Sequence, residues 1–479
     1  ATMRKPRLVS LLASVCLATG TAGGIGATQV VATGAAHPFI HEIVQGPALH
    51  KPPTTDDCVN VFYGFRCYQP AQLVKAYNLD KLHSHGIDGR GATILIVDSF
   101  GSPTLAHDLH VFDQTFGIPD PPSLEIRHDA GTLPPFDPNN SDMTGWAAET
   151  TLDVEWSHVF APGAKIVVEA TPVSETEGVQ GFPQIVKAEN YAIDHGLADV
   201  ISQSFGATEP TFPSAQSILD LRGSFKNARK HHVTVLGASG DEGATDLLFD
   251  TSCCYDHRVN SWPSSDPLVT SVGGTQLHLR ANGTRTSPDS VWNDPNSVIG
   301  GNPADPTTCC AGGGGVSAVF KRPRFQQDVA NITGPMRGTP DISLSAALDG
   351  AVVYYHSYLP ADADSAKGPW HIVAGTSEAS PEFAGIVAMA DQVAGKRLGN
   401  INNAMYGLGY GEGGLVDVTQ GNNTLTFLDA TNHLITVQGF NAKRGYDLAS
   451  GLGTIDAARF VRALADNHAD DGSQSQDDG

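Results

Sequence analysis

One serine stands where a nucleophile could work. Ser377 follows the small residues Gly375 and Thr376, and the apolar run 383–390 comes soon after it. Small residues before a serine that opens a helix let a substrate approach the hydroxyl closely. The positive end of the helix also stabilises an oxyanion there. The segment therefore indicates a nucleophile, and an ordinary helix N-cap is the alternative interpretation.

A serine hydroxyl needs a base to become a nucleophile. Asp98, after the apolar run 92–97, could supply the aspartate of an Asp, His, Ser arrangement. However, His83, His85 and His158 each lie in a sequence context typical of a surface or polar-network histidine. The base must then be sought among other residue types.

Two carboxylic acids share a segment that reads as a helix. Glu149 and Asp153 are four residues apart, so they lie on one helical face. Such a pair usually marks a solvated face, but here Trp146, Leu152 and Trp156 surround it and predict burial. Two buried carboxyls share a proton and the pKa of one rises, which gives a base that works at low pH.

Alternating apolar runs and helical patterns place these residues in an α/β fold. The alternation predicts a parallel sheet with helices on both faces and one large domain over 67–465. Residues 37–66 are predicted to be a short arm or linker, and residues 466–479 an acidic disordered tail. The predicted strands are 92–97, 165–169, 199–202 and 233–237, and the predicted helices include 182–195 and 214–231.

Five motifs in one order resemble the sedolisins, the serine-carboxyl peptidases. The match runs through 67–464 and implies a subtilisin-like fold, a single catalytic domain and hydrolysis of polypeptides. The motifs are residues 68–73, the helix with Glu149 and Asp153, residues 202–206, residues 239–243, and residues 375–377 with Pro381.

The resemblance also implies a role for each residue of the site. Ser377 attacks the peptide carbonyl, Glu149 is the general base, and Asp153 orients Glu149. Asp241 helps to form the oxyanion hole, and it can donate a hydrogen bond only when protonated. Peptide hydrolysis is therefore expected in acid, at about pH 3–5, since model carboxyls titrate near ~4.

The C-terminal part resembles the calcium site of the same family. Residues 415–422 and 439–453 match its two loops, and oxygen ligands from loops suit Ca²⁺. A Gly-rich turn with two exposed aspartates is the alternative. The resemblance implies one structural Ca²⁺, held by the side chains of Asp417 and Asp447 and the carbonyls of Val418, Lys443 and Gly445.

Three further features bear on substrate access. Residues 202–206 and 312–317 are expected to line the substrate groove. Glu378 stands where the family has a small residue, so it could raise the pKa of the catalytic acids or restrict the substrate. Sedolisins carry a long prosegment, but only about 30 residues separate the signal from the domain. Either the chain folds unaided, or a separate prosegment assists folding and inhibits the site.

The first residues predict export. Arg4, Lys5 and Arg7 precede an uncharged stretch, 8–36, that opens with an apolar run. This pattern is typical of a secretory signal, predicted here as 1–36, and an uncleaved membrane anchor is the alternative. We expect a secreted, extracellular protein with no membrane attachment after cleavage of the signal.

Cysteine usage agrees with an oxidising compartment. Loss of Cys16 with the signal leaves six cysteines, an even number. Adjacent cysteines lie too close to pair easily with each other. The sequence therefore predicts that Cys58 pairs with Cys67, and that 253–254 pair across to 309–310. A zinc site is the rival, but the spacing is wrong for it.

Composition narrows the partners. The chain has 479 residues, 40% of them hydrophobic, so it can bury a large core. Its formal net charge of −22 argues against binding to nucleic acid or anionic membranes. We expect a monomer that acts on polypeptides. The rival classes are a secreted binding protein without catalysis and a glycosidase that uses Glu149 and Asp153.

Overall fold

The fold is known from a computed structural model of the chain. It describes residues 37–38, 40–42, 48–174, 181–248, 254–299, 302–360 and 368–470. The predicted signal, residues 1–36, lies outside the described residues. None of the helices in the described ranges is both long and apolar enough to span a bilayer.

An eight-stranded sheet forms the centre of the domain. Its order is β12-β11-β9-β7-β4-β6-β5, with β17 also paired to β11. All its neighbours run parallel except β12, which is antiparallel to β11. The strands are β4 Thr93–Ser99, β5 Leu124–Arg127, β6 Lys165–Thr171, β7 Val200–Gln203, β9 Thr234–Ala238, β11 Thr270–Gln276, β12 Ser290–Val291 and β17 Ile342–Ser345.

Shorter strands surround this sheet, and most form ribbons or small sheets of two to four strands. They are β1 His37–Pro38, β2 His41–Glu42, β3 Cys67–Tyr68, β8 Phe205–Thr208, β10 Ser261–Trp262, β13 Asn293–Pro295, β14 Thr308–Ala311, β15 Gly315–Lys321, β16 Met336–Thr339, β18 Ala351–Tyr355, β19 Trp370–Ala374, β20 Leu415–Val416, β21 Leu425–Leu428, β22 Leu434–Val437 and β23 Thr454–Ile455.

Thirteen α-helices lie within the described ranges. They are α1 Thr55–Asp57, α2 Pro70–Ala76, α3 Leu79–His83, α4 Leu105–Phe116, α5 Ser141–Phe160, α6 Phe182–Asp194, α7 Ala215–Asp220, α8 Gly223–Lys230, α9 Asn296–Ile299, α10 Ala330–Thr333, α11 Thr376–Ala394, α12 Asn402–Tyr406 and α13 Ala457–Asp470.

Strand β4 shows why helices cover both faces of the sheet. Successive side chains of a strand point to opposite faces. Ile94 and Ile96 join the core cluster that also holds residues of α5 and α11. Leu95 and Val97 join the cluster that holds residues of α6 and α8. The β4 run is therefore apolar throughout, and the predicted parallel sheet with helices on both faces is confirmed.

One predicted helix is two helices. Helix α7 ends at Asp220 and α8 begins at Gly223, within the predicted helix 214–231. Glycine is a poor helix former, and Arg222 just before it turns its guanidinium to Asp266, with Nε 2.6 Å from Oδ2. That ion pair fixes the break between the two helices.

The predicted arm is built into the domain. Strand β1 pairs antiparallel with β8, and β2 pairs antiparallel with β19. Cys58 and Cys67 are disulfide-bonded, as predicted. Residues 37–42 and 48–66, where described, are therefore held to the domain by backbone pairing and a disulfide.

The second predicted disulfide set is wrong. Cys309 and Cys310 are free thiols, whereas Cys254 is disulfide-bonded. The reason is packing, because Cys309 and Cys310 pack with the main core on β14. Cys254 lies in a separate apolar cluster with Phe427. Spacing along the chain cannot reveal which cluster each side of β14 faces.

The C-terminal boundary also differs from the prediction. Helix α13 continues to Asp470, so residues 466–470 are helical rather than part of a tail. Phe460, Val461 and Leu464 are buried in the main core and anchor this helix. The remainder of the predicted tail, 471–479, lies outside the described residues.

Candidate active site

The predicted site residues meet at one edge of the central sheet. Asp98 is near the end of β4, Ser204 follows β7, and Asp241 comes three residues after β9. These are carboxyl ends of parallel strands, where open α/β sheets form their ligand crevices. Ser377 lies on the first turn of α11, and Glu149 lies on α5, which packs against α11.

The first turn of α11 is tied to neighbouring loops. Ser377 is fully buried, and its Oγ donates to the backbone oxygen of Ser204 at 3.1 Å. Pro381 lies inside the helix, so it has no N–H for the carbonyl of Ser377 four residues earlier. The hydroxyl of Ser204 lies 3.5 Å from that carbonyl oxygen instead.

Glu149 and Asp153 form a buried carboxyl pair, as the helical spacing predicts. Both are fully buried, and neither oxygen of Glu149 has a hydrogen bond among the described residues. Burial and then repulsion by Asp153 and Asp98 raise the pKa of Glu149 well above its ordinary value, although the nearby Ser377 hydroxyl opposes the rise. Glu149 is therefore a strong base once ionised.

Asp153 has a partner that fixes its orientation. Its Oδ1 accepts a hydrogen bond of 2.8 Å from the Ser204 hydroxyl. Burial, followed by the charge of Asp98, raises the pKa of Asp153 well above its ordinary value. Burial also raises the pKa of Asp98 to about 7. Three carboxyls thus share one dry region, where losing a proton from one makes the next harder to ionise.

Asp241 lies beside the nucleophile, on the turn after β9. Its Oδ1 accepts from the backbone N and the Oγ1 of Thr376, each at 2.8 Å. Gly313 packs directly against this turn. Only glycine fits there, because a Cβ at Gly313 would lie only 2.2 Å from the Ser239 oxygen. Gly312 to Gly315 are all buried, and Gly313 makes the closest approach to the turn.

A residue that the sequence analysis missed contacts Asp241. His41, on β2, places Nε2 3.2 Å from Asp241 Oδ2. Burial alone would lower the pKa of His41, but the hydrogen bond and charge of Asp241 raise it to about 9. Both oxygens of Asp241 are therefore occupied, one by Thr376 and one by an imidazolium.

The segment around His41 lies along strands that flank the site. His37 pairs with Gly206 and Pro38 with Phe205 on β8. His41 pairs with Ala374, the last residue of β19 before Gly375. Phe205 and Gly206, which belong to the predicted groove-lining residues 202–206, thus pair with Pro38 and His37 of the same chain. Strands β1 and β2 have only two residues each, which is too short to show a periodicity in the sequence. These contacts therefore could not have been predicted.

The histidine alternative receives no support from the positions of the predicted candidates. His158 is buried against Asp113, with Nε2 3.3 Å from Oδ2 and 2.8 Å from the Pro119 oxygen. His83 contacts the Phe160 oxygen at 2.9 Å. Asp98 consequently neighbours carboxyls rather than an imidazole.

Glu378 is buried just after the nucleophile. Burial raises its pKa well above the ordinary value, and the charge of Asp241 adds to the rise. The charges that act on Glu149 come from Asp153, Asp98 and Asp241 instead. The charge of Glu378 therefore interacts with Asp241 rather than with Glu149.

The two predicted calcium loops contact each other. Gly445 N donates to Asp417 Oδ2 at 3.0 Å, and Lys443 N donates to Asp447 Oδ2 at 2.8 Å. Asp417 Oδ1 is buried without a hydrogen-bond donor among the described residues. A buried carboxylate oxygen without a donor, beside a second aspartate, suits a hard cation, so these residues fit Ca²⁺.

The comparisons with known proteins agree with this geometry. The sequence model of the subtilase family matches residues 141–402. The chain belongs to the subtilase family. Its sedolisin branch is confirmed by curated relatives: kumamolisin of Bacillus sp. (strain MN-32), 30% identical over 405 residues, and sedolisin of Pseudomonas sp. (strain 101), 28% identical over 296 residues.

These relatives are longer than the chain. The kumamolisin alignment covers 83% of this chain and 63% of the relative, and the sedolisin alignment covers 61% and 45%. The chain therefore spans less than two thirds of the length of these curated relatives. Human tripeptidyl-peptidase 1 is 27% identical over 332 residues, covering 66% of this chain and 51% of the relative.

A solved structure supports the fold. Pseudomonas sedolisin, a serine-carboxyl proteinase solved with two molecules of pseudo-iodotyrostatin, matches with a TM-score of 0.65 at 24% identity. The match covers 84% of this chain and 99% of that one. The predicted subtilisin-like architecture is thereby confirmed.

Proposed function

We propose that this protein is an acid-acting serine-carboxyl peptidase that hydrolyses peptide bonds in polypeptides. The observation that carries the proposal is the buried Glu149–Asp153 pair beside Ser377, with Asp241 on the same edge of the sheet. The similarity to proteins named as peptidases supports the same reaction.

The proton route begins at the nucleophile. The Ser377 hydroxyl turns from the Ser204 oxygen to Glu149, which takes its proton as Ser377 Oγ attacks the peptide carbonyl. Glu149 then returns that proton to the leaving amine as the C–N bond breaks. Water next gives a proton to Glu149 and attacks the ester on Ser377, and that proton returns to Ser377 Oγ as the acid is released. Asp153, held by Ser204, keeps the Glu149 carboxyl in place through these transfers.

Asp241 is the proposed donor to the oxyanion. It must carry a proton for this role, because an ionised carboxylate would repel the developing charge. In the structure Asp241 Oδ2 faces His41 instead. The protonated form of Asp241 lacks the negative charge that attracts His41, and it carries the hydrogen-bond donor that this role needs. His37 and Pro38 must then move aside for a peptide to pair with β8.

Activity should follow a bell-shaped pH profile with its optimum in acid. Glu149 must be ionised, and its raised pKa moves the acid limb upward from the range that ordinary carboxyls would give. The alkaline limb follows from the donor role proposed for Asp241, which only its protonated form can fill. The test is kcat/KM for a peptide substrate between pH 2 and 9, where an optimum at pH 7 or above would contradict the mechanism.

The Asp241→Asn variant tests whether Asp241 causes the loss of activity at higher pH. Asparagine keeps an N–H donor but has no proton to lose in this range. The variant should be slower overall and should retain relatively more activity as the pH rises. A profile that superimposes on that of the unaltered protein would remove Asp241 from the oxyanion role and leave Glu149 as the base.

We also propose one structural Ca²⁺ between the loops of Asp417 and Asp447. Its ligands would be those two carboxylates and the carbonyls of Val418, Lys443 and Gly445. The ion would join two irregular loops that otherwise share few backbone hydrogen bonds. It takes no part in the proton transfers.

Calcium should raise the melting temperature. A ligand that binds only the folded state adds about 2.7 kcal/mol at one hundred times its Kd, which is a shift of several degrees. Calorimetry of chelator-treated protein, with Ca²⁺ or Mg²⁺ added back, measures it. Asp417→Asn should abolish the shift, and the exposed control Asp429→Asn should keep it. If Ca²⁺ and Mg²⁺ changed the melting temperature of all these proteins equally, the loops would be a turn without a specific calcium site.

Export and partners complete the proposal. We propose a secreted extracellular enzyme that works as a monomer without membrane attachment. The high negative charge argues against nucleic acid as a partner.

A further inference from the structure

Strands β1 and β2 lie along the candidate site as an extended peptide would. Strand β1 pairs antiparallel with β8, which begins directly after Ser204, and the backbone oxygen of Ser204 accepts from Ser377. Strand β2 pairs antiparallel with β19, which ends at Ala374, three residues before Ser377. Extended peptides bind to sheet edges by the same backbone pairing. The two short strands therefore follow the path that a substrate backbone would take.

The direction of this path shows which part of a substrate would reach β19. Strand β1 lies before the catalytic groups and β2 lies after them, where His41 Nε2 is 3.2 Å from Asp241 Oδ2. A peptide on the same path is cleaved between the positions of Pro38 and His41. The residue in the position of Glu42 is then the second, third or fourth residue after the cleaved bond, so it belongs to the leaving peptide.

The side chain of Glu42 fills a buried pocket made of two histidines and a tyrosine. His371 Nδ1 lies 2.8 Å from Glu42 Oε1, and His356 Nε2 lies 3.7 Å from the same oxygen. The Tyr354 hydroxyl donates to Glu42 Oε2 at 2.8 Å. Glu42, His371 and His356 are only 6%, 5% and 1% exposed. Each oxygen of the carboxylate thus meets a donor in a dry pocket.

Ring stacking and charge adapt this pocket to a carboxylate. The rings of His356 and His371 stack with centroids 3.9 Å apart, and His356 stacks on Tyr358 at 4.3 Å, so their ring edges lie side by side. Burial alone would raise the pKa of Glu42, but the charges of His371 and His356 lower it well below its ordinary value. The pocket therefore favours an ionised carboxylate over a neutral side chain.

We propose that His371, His356 and Tyr354 form a specificity subsite for an acidic side chain on the leaving side of the substrate. In this structure the carboxylate of Glu42 stands in for the Glu or Asp of a substrate. A neutral peptide that displaces Glu42 leaves the donors of His371 and Tyr354 without the carboxylate that they bind, whereas an acidic peptide satisfies them. This inference rests on the proposed peptide hydrolysis, because it names a preference of the same site.

Peptides that differ in one residue test the preference. One fluorogenic series carries Glu at each of the first four positions after the cleaved bond in turn, and a matched series carries Gln there. At about pH 5, where a peptide Glu is ionised, kcat/KM should be at least about 10-fold higher for Glu than for Gln at one of the second to fourth positions. This is the usual scale for a lost hydrogen bond to a charged group. The first position should show no such preference.

Substitutions in the pocket assign the preference to these residues. His371→Gln should bring the ratio of kcat/KM between the Glu and Gln peptides down to about one. Tyr354→Phe removes only a hydroxyl and should lower the ratio several-fold. His110→Gln changes an exposed histidine paired with Asp120 and should keep the full ratio. Circular dichroism and thermal unfolding check the fold of each variant, and Tyr354→Phe decides the question if His371→Gln does not fold.

A binding measurement separates the subsite from the proposed hydrolysis. The affinity of the Ser377→Ala variant for the same peptides is measured by fluorescence anisotropy, so a preference for Glu is visible without cleavage. Cleavage of Glu and Gln peptides with equal kcat/KM at every position overturns the subsite and leaves the hydrolysis in place. A preference that survives both His371→Gln and Tyr354→Phe also overturns it. Tighter binding of Glu peptides without any cleavage by the unaltered protein would support the subsite and contradict the hydrolysis.

Discussion

Ser377→Ala should lower kcat/KM for peptide hydrolysis by about 10⁴-fold or more. Alanine removes the Oγ that would form the covalent bond, and what catalysis remains comes from binding and the oxyanion donors alone. Ser377 Oγ makes one hydrogen bond, to the Ser204 oxygen, so the fold should tolerate the change. The rate is measured with a denatured protein substrate in acid.

A buried serine on another helix gives the matched control for this substitution. Ser157 on α5 donates to the Val154 oxygen of its own helix, so Ser157→Ala removes a similar hydroxyl away from the nucleophile. It should keep the rate within a few-fold. A Ser377→Ala protein that retains substantial turnover would show that Ser377 is not the nucleophile, and inactivity of both variants would point to a loss of fold.

Glu149→Gln should lower kcat by at least about 10²-fold with little change in KM. Glutamine has nearly the same shape but cannot accept the Ser377 proton, and a positioned general base contributes about 10²–10⁴-fold. The substitution also removes a carboxyl whose pKa burial raises, so thermal stability should be kept. A drop in rate without a drop in melting temperature is the expected signature, measured by steady-state kinetics and calorimetry.

Glu155→Gln is the control on the same helix. Glu155 is fully buried, and burial raises its pKa as it does for Glu149. Its Oε2 accepts from the backbone N of Tyr355, which an amide oxygen can also do. This variant should stay close to the unaltered rate. If Glu155→Gln were as damaging as Glu149→Gln, loss of a buried carboxyl rather than loss of a base would explain both.

The main parts of the fold could be predicted because they follow from local patterns. The apolar run of β4 required burial on both faces, and the spacing of Glu149 and Asp153 put them on one side of α5. Gly375 has φ of 133°, a conformation that favours glycine, which explains the residue before the helix that carries Ser377. These features depend on neighbours in sequence.

Features that depend on distant partners could not be predicted in the same way. The pairing of Cys254 depends on which apolar cluster each side of β14 faces. The contact between His41 and Asp241 joins residues 200 positions apart through strands of only two residues. The close packing of Gly313 could not be predicted, because the turn of Ser239 that it contacts lies elsewhere in the chain.

Pro381 changes which part of the protein sets the position of the nucleophile. It breaks the hydrogen-bond ladder of α11 at the carbonyl of Ser377, and the Ser204 hydroxyl lies near that oxygen while also binding Asp153. Thr376, one residue earlier, is fastened to Asp241. The position of Ser377 Oγ is therefore set by the loops at the strand ends rather than by the helix that carries it. Small shifts along the body of α11 can be absorbed at the proline, whereas a shift of the Ser204 loop would move the nucleophile and the carboxyl pair together.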